Sequence, residues 1–263
     1  MIKFFPNFPE IFAVMSLRGD GNMKINYCGR KKRSTNGNRR NFFKRNGISE
    51  DTVISALLDH GNKAVVISGN SSRYIEKADA LLTGDCGIYL SITVADCYPI
   101  MFYDPVAREI ALAHAGWQGA VSGVVSSTMI KMILRGCDPR NIRAEVGPGI
   151  CQKHLEFSRS DLLKLKQYNN PQYYSDLSQE KVLVDLKKII GDQLAAHGIS
   201  GKNIAFSREC TFCHPEKYFS YRRDGKNSEG QVNAMVVISG MKENKVKEKG
   251  RLILAEKECL SFA

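Results

Sequence analysis

Residues 92–119, ITVADCYPIMFYDPVAREIALAHAGWQG, constrain the fold more than any other stretch of this chain. Alternating β-branched and apolar residues run through it with one interruption, Asp104-Pro105-Val106-Ala107-Arg108, whose composition is that of a turn. The pattern predicts two antiparallel strands folded about that turn, with Cys97 near one free end and His114 near the other. Both lie opposite the turn, so closing the hairpin brings a thiol and an imidazole together. Such a pair suits zinc or copper, or a cysteine nucleophile with its base, and the hairpin leaves both readings open.

Punctuation along the rest of the chain gives the coarse organisation. Residues 38–61 carry apolar positions at helical spacing, with a break at Asn46-Gly47 and a second helical start near Ser49, where Glu50 and Asp51 form an acidic first turn. Strands are expected at 63–68, 142–150, 203–210 and 231–238, and helices at 119–136, ended by Gly136, and 185–198, stopped by Gly198. Strands and helices interleave irregularly and without internal repeat, which predicts an α+β fold of mixed β-sheets flanked by helices. With 263 residues, 43% of them hydrophobic, the chain can bury one sizeable core. A single domain is expected over 1–240. Residues 241–263 then read as a lysine-rich linker, MKENKVKEKG, followed by a short apolar tail.

Several function classes recede on composition. The N-terminal run MIKFFPNFPEIFAV is interrupted by Pro6 and Pro9 and lacks a cleavage pattern, so it makes a poor secretory signal, and no apolar run is long enough to span a membrane. Eight scattered cysteines then read as free thiols in a reducing compartment, and the cytoplasm is the expected location. The net charge of +11 and the run RKKRSTNGNRRNFFKR (30–45), with Phe42 and Phe43 inside it, raise nucleic-acid binding. No nucleic-acid module accompanies the charge, and a basic surface also attracts phosphate-bearing small molecules, so nucleic acid is not the expected partner. Cys210-Thr211-Phe212-Cys213-His214 matches the spacing of covalent haem attachment, yet that chemistry belongs outside the cytoplasm. A zinc ribbon would need a second Cys-x-x-Cys, which the sequence lacks, so Cys210 and Cys213 read as free thiols ending a strand.

Six blocks in order carry a resemblance: ADALLT (78–83), VADCYPIMFYDP (94–105), HAGWQG (114–119), GPGI (147–150), CTFC (210–213) and SYRRDG (220–225). Together they resemble the laccase-domain family, also called polyphenol-oxidase-like, over about residues 16–238. The resemblance implies a zinc-dependent purine nucleoside phosphorylase with adenosine deaminase side activity. It implies zinc ligands at His60, Cys97 and His114. It also assigns substrate contacts to Arg18 and Asn26, and Asp96, Arg222 and Arg223 join them as candidates for holding phosphate or a ribose hydroxyl.

The residue types support that trio. Two histidines and one cysteine leave a fourth tetrahedral position open, as a catalytic zinc requires, whereas a structural site would be closed. Copper is the less favoured metal, because a multicopper oxidase builds its trinuclear cluster from imidazoles and this chain has five histidines with no His-x-His pair. The expected substrates are purine nucleosides (adenosine, inosine, guanosine or methylthioadenosine) and phosphate. No feature of the sequence specifies an oligomeric state. Departures from the family pattern fall at Gln118, where an arginine is usual, at Leu58, where a glutamine is usual, at Asp20 for a glycine, and at Cys151 and Leu155. Two other readings stand beside this one: a metal-free cysteine hydrolase using Cys97 with His114 or His60, and a non-catalytic metal- or nucleic-acid-binding protein.

Overall fold

Tyr98, Ile100 and Phe102 pack on one side of their strand, and Met101 and Tyr103 on the other. That period-two sorting, repeated strand after strand, sets the layers of the molecule. The computed structural model describes residues 1–25, 37–226 and 232–243, and the backbone of two short strands at Lys247–Glu248 and Arg251–Leu252. In chain order the N-terminal half comprises β1 (Ile2–Lys3), β2 (Ile11–Met15), α1 (Gly37–Arg45), β3 (Val53–Leu57), β4 (Ala64–Val66), β5 (Tyr74–Glu76), β6 (Ala80–Thr83) and β7 (Tyr89–Val94). It continues through β8 (Tyr98–Asp104), β9 (Glu109–Ala115), α2 (Trp117–Ser122), α3 (Val124–Leu134) and β10 (Arg143–Val146). The remainder holds β11 (Glu156–Ser158), β12 (Tyr174–Asp176), β13 (Lys181–Val184), α4 (Leu186–Ala196), β14 (Ile204–Phe206), α5 (Tyr221–Asp224) and β15 (Met235–Met241).

Two six-stranded mixed sheets form the centre, in the orders β1-β2-β15-β7-β3-β5 and β14-β10-β8-β9-β6-β4. Their facing surfaces share one core, with Leu90, Ile92, Val94, Met235 and Val237 from the first sheet against Leu81, Met101, Ile110 and Leu112 from the second. Behind the second sheet, α2, α3 and α4 cover Tyr98, Ile100, Phe102, Ala111 and Ala113. Behind the first, Phe42 and Phe43 of α1 cover Val14, Val53, Val236 and Ile238. A small sheet, β11-β13-β12, packs at the side. The expected α+β class with mixed sheets and flanking helices is what the chain adopts.

The hairpin is present as β8 and β9, paired from Tyr98 with Ala115 to Asp104 with Glu109. Its turn is set by Asp104, whose carboxylate accepts the amides of Val106 and Ala107 at 2.8 and 3.1 Å. The run before it does not continue straight. Residues 95–97 bend, with Asp96 at φ 85°, and carry the chain from the first sheet into the second.

Two expectations need correction. Residues 53–57 form a strand and not a second helix: β3 lies inside the first sheet with Val53 facing α1 and Ile54 and Ala56 facing the other sheet. A strand covered on both faces is apolar without alternation, and its pattern mimics a helix. The helix expected over 119–136 is two helices, broken at Gly123 (φ 92°). The last sheet strand runs one residue past Gly240, and the Lys242 amide donates to the Glu10 carbonyl.

The basic run divides. Residues 30–36 lie outside the described residues, while Arg39, Phe42 and Phe43 are buried. Arg39 donates to the Met23 carbonyl and to the hydroxyls of Ser55 and Ser91, so this part of the run is a core element and offers no stacking platform for bases.

Candidate active site

Three strand ends and one loop converge at the rim of the inter-sheet core. His114, near the end of β9, has the same parity as Ile110 and Leu112 and so faces the space between the sheets. Cys97 sits on the bend that joins the sheets, and His60 on the loop after β3, at φ 58°. One donor atom from each of these three lies within 4.8 Å of the others, and the two imidazoles meet edge to face at 4.9 Å. The trio expected from the sequence is therefore assembled in space.

Asp79, at the threshold of β6, organises the trio and went unassigned in the sequence. It is fully buried. Its Oδ1 accepts the His60 amide (3.0 Å) and faces His114 Nδ1 (3.1 Å), while Oδ2 accepts the Gly61 amide (2.8 Å). Its carbonyl also accepts the His114 amide at 2.7 Å. Burial works against its charge, but the His114 hydrogen bond and the Gly61 amide outweigh it and hold the carboxyl below the usual range. An ionised carboxylate on Nδ1 fixes the tautomer and leaves His114 Nε2 to face the site.

Burial would raise the Cys97 thiol, yet the charge of His114 and hydrogen bonds with His114 and His60 bring it down to about 6. Burial pulls His114 the other way, and the Cys97 charge with the Asp79 hydrogen bond lifts it to about 9. Thiolate and imidazolium thus stabilise one another at neutral pH. The glycines of His-Ala-Gly-Trp-Gln-Gly have a steric reason: a Cβ on Gly116 would stand 2.8 Å from Cys97 Sγ, and one on Gly119 would stand 2.8 Å from the Gly61 carbonyl.

The trio opens into a cavity of about 870 Å³. Apolar walls come from Leu58, Val94, Trp117, Ile150, Leu155 and Leu186, and Lys24, Lys77, Arg222 and Lys226 add positive charge. Gln118, Leu58 and Leu155, three of the departures noted above, all line it. Tyr221, 52% exposed, stands on the lip.

The other candidates separate. Arg222 lines the cavity, its guanidinium donating to the Glu156 carbonyl at 3.3 Å. Arg18 and Arg223 do not line it. Arg18 pairs with Asp224 at 3.1 Å over the Phe219 ring, and Arg223 donates to the carbonyls of Thr211, Phe212 and Tyr218. Asp96 borders the cavity, but its carboxylate accepts from Thr211 Oγ1 (2.6 Å), Ser220 Oγ (3.0 Å) and the Arg222 amide (2.7 Å), tying the C-terminal blocks to the bend that carries Cys97. Asn26 lies outside the described residues.

The donor set fits a zinc ion with one open position, and Asp79 supplies the carboxylate that commonly backs a ligating histidine. It does not fit a copper cluster. Of the remaining histidines, His154 lies in a separate group, His197 bonds Ser126 Oγ at 2.8 Å and His214 pairs with Glu216 at 3.4 Å.

The model of the family described as multi-copper polyphenol oxidoreductase laccase matches residues 20–239. The chain is 30% identical over 191 residues to the mouse protein named purine nucleoside phosphorylase LACC1, covering 71% of this chain and 44% of that relative. It is 31% identical to purine nucleoside phosphorylase ORF3 of Streptomyces griseus, covering 71% and 75%, and 32% identical to adenosine deaminase RL5 of an unknown prokaryotic organism, covering 66% and 67%. The chain thus spans less than half the length of the mouse relative. Its fold is that of YlmD from Geobacillus stearothermophilus, with a TM-score of 0.80 at 24% identity over 90% of this chain and 94% of the other.

Proposed function

This chain belongs to the family described as multi-copper polyphenol oxidoreductase laccase, and from that membership we propose that it is a zinc-dependent purine nucleoside phosphorylase that also deaminates adenosine. The observation that carries the reading is the open trio of His60, Cys97 and His114, backed by Asp79, at the base of a large apolar cavity with cationic walls. Adenosine, inosine, guanosine and methylthioadenosine are the proposed nucleosides.

Cys97 would enter the metal shell as thiolate, and His114 through Nε2 while Asp79 holds its Nδ1 proton. A zinc ion held by the three would supply a Lewis acid for an oxygen of the substrate. The remaining work falls to the cavity. A purine is a flat apolar body with polar edges, which suits walls made by Leu58, Leu155 and Trp117 and the exposed ring of Tyr221. Phosphate must approach the ribose as the glycosidic bond breaks, and Arg222, Lys24, Lys77 and Lys226 lower the cost of bringing that anion in. Arg18, Arg223 and Asp96 act as ties that hold α5, and Arg222 with it, against the cavity. With Gln118 in place of an arginine, less positive charge lines the cavity beside Trp117.

The experiment is zinc content of the purified chain together with phosphate-dependent release of hypoxanthine from inosine, by the wild type and by Cys97→Ala. Turnover that needs both phosphate and zinc and vanishes in the variant supports the reading; turnover that persists in the chelated chain refutes it. One observation favours a second reading: Cys97, His114 and Asp79 also form the thiolate–imidazolium–carboxylate line of a cysteine hydrolase. That enzyme would be inactivated by thiol alkylation and indifferent to chelators.

A further inference from the structure

A second group of soft ligands lies on the far side of the cavity wall, and it is closed where the first is open. Cys151 precedes and His154 ends a short 3₁₀ turn, Gln152–His154, while Cys210 and Cys213 lie about another turn 59 residues later. The counterpart of the Cys-x-x-Cys pair is therefore an earlier Cys-x-x-His, Cys151 to His154. His154 faces both Cys151 and Cys213.

The spacings among Cys151, His154 and Cys213 are close to those of a tetrahedron, with Cys210 within reach of the fourth corner. Zinc bonds of about 2.3 Å to sulfur and about 2.0 Å to nitrogen separate two sulfurs by about 3.8 Å and a sulfur from a nitrogen by about 3.5 Å. Here Cys151 Sγ lies 4.0 Å from Cys213 Sγ and 3.3 Å from His154 Nδ1, Cys213 Sγ lies 3.5 Å from the same nitrogen, and all four donors fall within 4.8 Å of one another. Phe212 stacks on His154 at 4.0 Å and 16°, which fixes the ring with Nδ1 turned into the group. The Cys151 amide donates to Cys210 Sγ at 3.2 Å, an arrangement suited to a thiolate.

The geometry points to a structural zinc site of the Cys₃His type at Cys151, His154, Cys210 and Cys213. Four protein ligands leave no position for substrate, so the ion is a staple and takes no part in chemistry. It joins the loop after Gly149 to the loop after Cys210, which also meet through one backbone bridge, the Thr211 amide on the Gly149 carbonyl and the stack of Phe212 on His154. Ile150 and Leu155 flank the first pair of ligands and line the cavity, and Thr211, between the second pair, donates to Asp96 beside Cys97. The staple therefore holds one wall of the cavity in place. The inference stands on these four residues and is independent of the proposed activity.

The test is metal analysis of the full chain carrying His60→Ala and Cys97→Ala, which leaves a single donor in the open trio. About one tightly held zinc per chain is expected after exhaustive gel filtration. Replacing it with cobalt should give thiolate-to-cobalt charge-transfer absorption, and adding a chelator should expose three cysteines to alkylation that were protected before. Introducing Cys151→Ser and Cys213→Ser should abolish the zinc. The site is overturned if the first variant holds no zinc, if it holds iron instead, if non-reducing mass spectrometry finds a disulfide within the group, or if zinc survives the two serines. Because cobalt absorption and alkylation are read on the chain with all four ligands intact, a serine variant that fails to fold does not blunt the test.

Discussion

Replacing Asp79 with asparagine isolates the residue on which the open trio depends. Asparagine preserves the shape but turns one acceptor into a donor. If its oxygen takes the Oδ1 place, the His60 amide and His114 Nδ1 keep their partner, and the Gly61 amide faces an NH₂ group; the opposite orientation strands two donors instead of one. The first orientation is therefore expected, with the half-buried Gly61 donor left unsatisfied at up to about 1–3 kcal/mol. Loss of the negative charge behind His114 should weaken zinc by about 10- to 100-fold, the usual effect of removing a carboxylate that backs a ligating histidine. At fixed excess zinc that adds a further loss of about 1.4–2.7 kcal/mol. Urea unfolding in chelator should show the first loss alone, and unfolding in buffered free zinc the sum. Competition titration against a coloured chelator reads the affinity directly. The four-cysteine/histidine group contributes equally to both chains, so the difference belongs to the trio. Zinc affinity within about threefold of wild type would refute the role given to Asp79.

Gly116→Ala should abolish zinc at the trio and with it the turnover, since its methyl would stand 2.8 Å from Cys97 Sγ, while the backbone there (φ −75°) accepts alanine; an active variant would show that Cys97 can shift without loss. In the metal-free chain, alkylation of Cys97 should rise with a midpoint near pH 6, because its thiol is held down at about 6 from the usual 9.0. The stability this thiol contributes is present above 9 and lost as pH falls through about 6, and that of His114, raised from 6.5 to about 9, is present below 6.5 and lost as pH rises through about 9, so the pair is intact between. A midpoint near 9 would dissolve the pair. Arg222→Ala and Lys226→Ala should raise the KM for phosphate by about tenfold each with little change for inosine, and an unchanged phosphate KM would move the anion elsewhere.

The hairpin, and Cys97 and His114 with it, was legible because its signal is local, an alternation over residues 98–115, whereas His60 came from the resemblance alone. The helix over residues 186–196 was equally plain, with Asp185 capping it by accepting the Lys188 amide. What escaped is what distant segments decide. β3 was misread because its second apolar face is covered by a helix that precedes it in the chain. Asp79 looked like any acidic residue until folding set three donors around it. Arg18, assigned to substrate by the resemblance, and Arg223, a candidate by residue type, have Asp224 and carbonyls of the 211–218 segment as partners, which no local signal announces. Cys-x-x-His and Cys-x-x-Cys stand too far apart for either to name the other.

The position of β15 has a consequence for how the molecule comes into being. This strand, the last in its sheet by sequence, is wedged between β2 and β7 and pairs with both along its length. A ribosome adding about 5–20 residues per second finishes β7 on the order of ten seconds before it supplies β15. Through that interval two apolar strand edges face each other across an unfilled slot, each a template for pairing with a neighbouring nascent chain. The first sheet closes only once β15 has been made, so chains released before residue 235 should be prone to aggregate, and the cavity wall at Ala234 forms no earlier.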